Sequence, residues 1–241
     1  MKRIVFLLVV FIIGGQLMAQ TAEASYERGE TFADQREYDK AIAEFTEAIR
    51  LNPNFAGAYN YRGWMYSEKG NYDEAIADFN QAIKLNSNFA MAYNNRGTVY
   101  NRTENYDLAI ADFTQAIKLN PKFQWAYFNR GTSYHYNGNY DLAIKDYTEA
   151  LKLDPKDAEA YMNRGIAYTN KKNFNQAIKD FDEVIKLIPN YADAYNSRGW
   201  AYYQKKDYKK AIADFETALR FNPNHELAKV NLELARSQGK K

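Results

Sequence analysis

The dipeptide Arg-Gly stands at Arg28-Gly29, Arg62-Gly63, Arg96-Gly97, Arg130-Gly131, Arg164-Gly165 and Arg198-Gly199, and every step is 34 residues. A fixed period of this size marks a stacked repeat, in which each unit is one supersecondary element that cannot bury its own apolar face and must pack on its neighbours. In the same frame Ala recurs at Ala41, Ala75, Ala109, Ala143, Ala177 and Ala211. An aromatic follows at Phe45, Phe79, Phe113, Tyr147, Phe181 and Phe215. All five prolines share one slot, Pro53, Pro121, Pro155, Pro189 and Pro223, with Ser87 in the second unit. The units are 22–55, 56–89, 90–123, 124–157, 158–191 and 192–225, without insertion or deletion.

Within one unit the apolar residues Ala58, Tyr59, Gly63 and Tyr66 keep a helical rhythm, and Tyr72, Ala75, Ile76, Phe79, Ala82 and Ile83 keep another. Two amphipathic helices per unit are therefore predicted. Between them, Gly70 supplies a break, and Asn71 with Glu74 has the spacing of a capping box. The residue before Pro is pushed out of the helical region, so Asn120-Pro121 and its equivalents end the second helix. Gly63 and Ala75 are small where the two helices should approach closely. Frame positions 4, 11, 17 and 24, counted from the first residue of each unit, take 23 of the 38 aromatics, so most aromatic side chains belong to the core. After the last unit, Leu227, Val230 and Leu234 form an apolar stripe and Glu226, Lys229, Glu233 and Arg236 a charged one. This predicts a capping helix over 226–236 that turns its charged face to water, followed by a frayed tail at 237–241.

These six aligned copies resemble the tetratricopeptide repeat (TPR) family over the whole of 22–225. The resemblance implies an all-α fold, a TPR α-solenoid in which antiparallel helix pairs wind into a right-handed superhelix closed by the C-terminal capping helix. One departure is constant. Position 7, usually Leu in the family, is Arg in every unit: Arg28, Arg62, Arg96, Arg130, Arg164 and Arg198. Each is matched by an acid at position 23: Glu44, Asp78, Asp112, Asp146, Asp180 and Asp214. If glycine packs on alanine between the two helices, each Arg reaches its acid, which predicts a ladder of structural ion pairs rather than a row of anion sites.

In the resembled family the first helices line a concave groove, with positions 2, 5, 6, 9, 12 and 13 facing or bordering it. On this sequence those positions give Tyr61 and Trp64, then Met91, Asn94 and Asn95, then Trp125, Phe128, Asn129, His135 and Tyr136. Met162, Asn163 and Ile166 follow, and Trp200 and Tyr203 complete the set. Aromatics bury area at low entropic cost, Met adapts, and Asn can bond an extended backbone, so the groove is predicted to take a peptide or protein partner. Members that clamp a terminal carboxylate do so with Lys or Arg at positions such as 2, 5 and 6. No unit here has either residue there, so that clamp is not expected.

The N-terminus carries Lys2 and Arg3, the apolar run Ile4 to Ile13 and a small residue at Ala19, the pattern of a secretory signal peptide over 1–19. The run is shorter than the roughly 20 residues of a membrane span. Export to a periplasm or cell envelope follows as the expectation, with an uncleaved N-terminal anchor as its alternative and no transmembrane span in the mature chain. Lys+Arg 32 against Asp+Glu 30 is too balanced for a phosphate-backbone binder, so no nucleic-acid partner is expected. Without Lys2 and Arg3 the chain is neutral, yet the first repeat carries −4 and the sixth +2, which suggests end-to-end self-association. Cys is absent, and His135 and His225 are the only histidines, so neither a metal site nor a cofactor is expected. No phosphate-cradling loop, nucleophile elbow or helical His pair occurs, and catalysis is not expected. The predicted function is a scaffold or adaptor, with a structural subunit of an envelope or secretion complex as the rival reading.

Overall fold

A computed structural model describes residues 21–239. The predicted signal peptide and the last two residues lie outside the described residues. Each 34-residue unit folds as two helices: α1 Ala22–Asp34 and α2 Tyr38–Leu51, α3 Ala56–Glu68 and α4 Tyr72–Leu85, α5 Ala90–Arg102 and α6 Tyr106–Leu119, α7 Gln124–Tyr136 and α8 Tyr140–Leu153, α9 Ala158–Asn170 and α10 Phe174–Leu187, α11 Ala192–Gln204 and α12 Tyr208–Phe221. Helix α13, Glu226–Gln238, closes the series. The chain divides into two compact units at Pro121 and Lys122, α1–α6 and α7–α13. Each is an α-solenoid segment built of consecutive antiparallel pairs.

The turn inside every pair is set by one residue at position 15. Arg36, Gly70, Glu104, Gly138, Lys172 and Lys206 all have φ between 59° and 81°. This left-handed residue ends the first helix, and the next N–H reaches back to it, as from Asn71 to Tyr66 O at 2.9 Å. Glycine fits this conformation without strain, yet only two of the six positions have it. The break at Gly70 is thus a property of the frame, not of glycine. The expected capping box does not form: Asn71 makes no side-chain cap, and its backbone carbonyl receives Ala75 N–H at 3.1 Å. The second helices end on an extended residue, φ −136° at Asn52 before Pro53 and −141° at Asn86 before Ser87. Asn86 Oδ1 accepts the Asn88 N–H at 3.0 Å, and the same side-chain turn stands beside proline, where Asn52 Oδ1 accepts the Asn54 N–H at 3.1 Å and Asp154 Oδ1 the Lys156 N–H at 3.0 Å, so the serine slot keeps the turn without proline.

The close approach at the repeated glycine is real, but its chief partner is a ring. A Cβ at Gly165 would lie 2.7 Å from Phe181, and one at Gly131 3.0 Å from Tyr147. The ring at position 24 fills the space that a side chain at position 8 would need. At Gly63 the Ala75 carbonyl also stands at 3.1 Å, so the helix backbones approach there as the small residues predict.

The terminal helix reverses the predicted faces. Ala228, Leu232 and Ala235 are buried, whereas Leu227, Val230 and Leu234 are exposed. The reason is register: Ala228 continues the buried series Ala58, Ala92, Ala126, Ala160 and Ala194 at position 3, so α13 packs as the first helix of a seventh repeat. It also runs to Gln238, beyond the predicted end at 236; Ser237 Oγ donates to Leu234 O at 2.8 Å and Gly239 N–H to Ala235 O at 2.9 Å. The frayed tail at 237–241 is thereby corrected for Ser237 and Gln238.

Candidate functional site

The six arginines at position 7 meet their acids. Arg62 Nε and Nη2 donate to both oxygens of Asp78, each at 2.7 Å. Arg96 meets Asp112 at 2.7 and 2.6 Å, Arg130 meets Asp146 at 2.6 and 2.9 Å, Arg164 meets Asp180 at 2.8 and 2.7 Å, and Arg198 meets Asp214 at 2.8 and 2.6 Å. These are two-pronged charge-assisted pairs, the strongest kind of side-chain hydrogen bond. The Asp78 and Asp112 bonds hold Arg62 and Arg96 above the usual guanidinium range, while burial pushes Asp180 and Asp214 above the usual carboxylate range. The guanidinium also lies over tyrosines at positions 4 and 11, 5.6 Å from Tyr59 and 5.9 Å from Tyr66 for Arg62.

A second partner of these arginines was not foreseen. Nη1 of Arg62 donates to Thr46 at 3.1 Å, that of Arg164 to Thr148 at 3.0 Å and that of Arg198 to Asp182 at 2.6 Å; Arg96 bonds Asn80 in the same way. Each partner sits at position 25 of the preceding repeat, so one arginine ties its own helix pair and stitches it to the pair before. The signal was present, since position 25 carries a side-chain oxygen in all six repeats. In these four repeats the guanidinium donors are taken up by groups of the repeat stack itself.

The predicted groove residues separate into exposed and covered sets. In α1–α6, Trp64 and Met91 are exposed, whereas Asn94 is buried and Asn95 Nδ2 donates to buried Asn60 at 3.1 Å. Tyr26, Tyr61 and Trp64 form a run of rings at centroid distances of 5.4 and 5.8 Å. Burial, with Tyr61 and Glu30 beside it, pushes the Tyr26 phenol well above its ordinary value. In α7–α13, Trp125 and Tyr136 are the open rings, Trp125 being 56% exposed. Phe128 is not a groove residue: it is buried against Tyr147 at a ring distance of 5.8 Å. Asn129, Met162, Asn163 and Ile166 are half-buried. Trp200 stacks on Tyr203 at 5.3 Å and 16°. His135 sits edge-on to Tyr136 and Tyr140, and burial holds its imidazole below the usual range.

A pocket of about 350 Å³ opens between α9, α11 and α13, lined by Ile166, Thr169, Asn170, Phe181, Asn196, Ser197, Trp200, Leu227 and Asn231. Of the predicted site residues it gathers Ile166 and Trp200. Leu227 and Asn231 lie outside the predicted site residues, because the sequence pattern assigns α13 to capping. Among the described residues no group of three or more His, Asp and Glu could hold a metal ion, and no helix is long and apolar enough to cross a membrane.

Tandem antiparallel helix pairs with their first helices side by side define a helical-repeat protein. The chain belongs to the tetratricopeptide repeat family: that family's model matches residues 90–123, 125–157, 158–191 and 192–225, and related TPR models match 22–55, 44–77 and 63–104. Comparison with curated proteins gives no match. Among solved structures the chain is similar to YrrB, described as a TPR protein with an unusual peptide-binding site, at 28% identity and a TM-score of 0.68, covering 76% of this chain and 95% of that one. It shares its fold with PilW, a type IV pilus biogenesis factor, at 18% identity and a TM-score of 0.79, covering 88% and 98%. Pseudomonas aeruginosa PilF gives 15% identity and a TM-score of 0.76, covering 91% and 97%.

Proposed function

We propose that this chain is a non-enzymatic, exported scaffold that holds a peptide or protein partner on the face made by its first helices. The observation that carries the reading is the exposure of large side chains at groove positions, Trp64, Met91, Trp125 and Tyr136, where a solvated surface would carry charge. The similarity to YrrB, a protein with a peptide-binding site, supports it. Export rests on the leader-like segment at 1–19. Crosslinking in the native cell, followed by affinity capture and mass spectrometry, tests the reading. Trp125→Ala is expected to reduce recovery of the captured partner at least fivefold with an unchanged melting curve; undiminished capture rejects the groove. Phe128 is excluded from this test because its loss would open the core.

Leu108 and Leu142, exposed on the second helices α6 and α8, favour a second reading, a structural subunit that packs through its outer faces. On that reading Leu108→Lys and Leu142→Lys, not Trp125→Ala, abolish co-sedimentation with envelope fractions.

A further inference from the structure

The pocket between α9, α11 and α13 has an uncommon chemical balance. Its apolar lining is Ile166, Phe181, Trp200 and Leu227; the rest is Asn, Ser and Thr, and no charged residue contributes. Its volume is that of a small-molecule or side-chain site. Leu227 is 66% exposed, and Val230 and Leu234 extend the same apolar wall along α13. A charged group entering such a lining would lose hydration and find no counter-ion, whereas an aliphatic or aromatic group loses nothing.

Above the apolar surface, Asn231 Nδ2 donates to Asn196 Oδ1 at 3.0 Å. That bond ties the two carboxamides together, and the chemistry of the pair still offers an N–H donor on Asn196 and a carbonyl acceptor on Asn231. A donor next to an acceptor is what the C=O and N–H of an extended main chain satisfy together. A free carboxylate offers acceptors only and brings a charge. Resting on the scaffold reading above, we infer that this pocket receives an uncharged aliphatic or aromatic side chain from within an extended partner segment, whose main chain is held by Asn196 and Asn231, and that it rejects a chain terminus.

The test uses the ¹⁵N-labelled full chain titrated with N-acetyl-leucinamide, N-acetyl-tryptophanamide, N-acetyl-leucine as the free acid, N-acetyl-lysinamide and indole. The Trp200 indole resonance, assigned with Trp200→Phe, is the readout. The two neutral amides are expected to move it saturably, and the acid and the lysine derivative to bind at least tenfold more weakly. Leu227→Glu, at an exposed position that keeps the melting curve, is expected to weaken the neutral amides at least fivefold. Asn231→Leu is expected to weaken the amides at least threefold while indole, which has no peptide unit, binds unchanged. Equal binding of all probes, no saturable shift with any, or unchanged affinities in both variants overturns the assignment. The two readings fail separately. A Leu227→Glu chain that captures its cellular partner at the native level sinks the pocket alone, and a chain that binds the amides but captures no partner sinks the scaffold alone.

Discussion

Arg28 and Arg164 occupy the same slot of the repeat, and each pairs with the acid sixteen residues on, but their surroundings differ. Arg164 and Asp180 are 16% and 6% exposed, with Tyr161 against the guanidinium and Thr148 of the preceding repeat on Nη1. Arg28 and Glu44 are 43% and 25% exposed, and position 4 offers Ser25 Oγ at 3.0 Å where Tyr161 stands in the fifth repeat. One sequence feature therefore has two energetic values, and what sets the value is the cover supplied by tyrosine and by the repeat before.

The largest expected effect breaks that comparison open. Arg164→Met leaves Asp180 buried without its partner and should cost about 3–5 kcal/mol, whereas Arg28→Met removes a solvent-screened pair and should cost about 0–1 kcal/mol. Urea unfolding of the two variants measures the difference, and equal losses would show that cover does not matter. Adding Asp180→Leu to Arg164→Met should recover most of the loss, because an apolar pair of similar volume carries no desolvation cost.

A smaller effect sharpens the same lesson at position 15, where shared geometry again meets unlike residues. Lys172 has φ 59° and Gly138 has φ 78°, and a Cβ at Gly138 would meet nothing within 4 Å, so only backbone preference distinguishes the two sites. Lys172→Gly should stabilise by about 0.5–1 kcal/mol and Gly138→Ala should destabilise by about 1 kcal/mol. Denaturant midpoints check both. A destabilised Lys172→Gly chain would mean that the lysine side chain contributes more than its backbone strain costs.

The fold was legible because six copies vote on each position. Any one unit shows two amphipathic stretches, but only the alignment shows that Arg, Gly, Ala and Pro hold fixed slots. The site was legible less evenly. Position 5, which the resemblance assigns to the groove, is buried at Asn60, Asn94 and Phe128 and half-buried at Tyr26, Met162 and Asn196; Phe128 packs against the ring of Tyr147 5.8 Å away, a contact made across two helices that the periodicity of one cannot register. In α13 two apolar stripes, Leu227/Val230/Leu234 and Ala228/Leu232/Ala235, fit a helical period equally well. The larger residues invite the wrong choice, and the repeat register, with Ala at position 3, selects the smaller ones. That signal lay in the chain and required α13 to be counted as a seventh first helix. The αL residue at position 15 was hidden for the opposite reason, since four of its six occupants are residues that rarely adopt it.

The smallest expected effect compares the fourth and sixth repeats at position 12, where His135 and Tyr203 stand. Each packs its ring against the aromatic at position 17, His135 on Tyr140 at 5.3 Å and Tyr203 on Tyr208 at 5.5 Å, so the two rings do the same packing. They differ in titration. Burial lowers the His135 pKa in the folded chain, so the unfolded chain takes up a proton first as pH falls through the ordinary histidine range, near 6.5. The unfolded state then binds more protons than the folded one, and stability drops with falling pH until the folded imidazole also titrates, after which the loss is constant. His135→Tyr retains the ring contact and removes the titration. Its melting temperature should therefore fall less between pH 7.5 and 5 than that of the native chain, while the two agree near pH 7.5. Parallel melting curves across that range would show that the imidazole is as well solvated in the folded repeat as in the open chain.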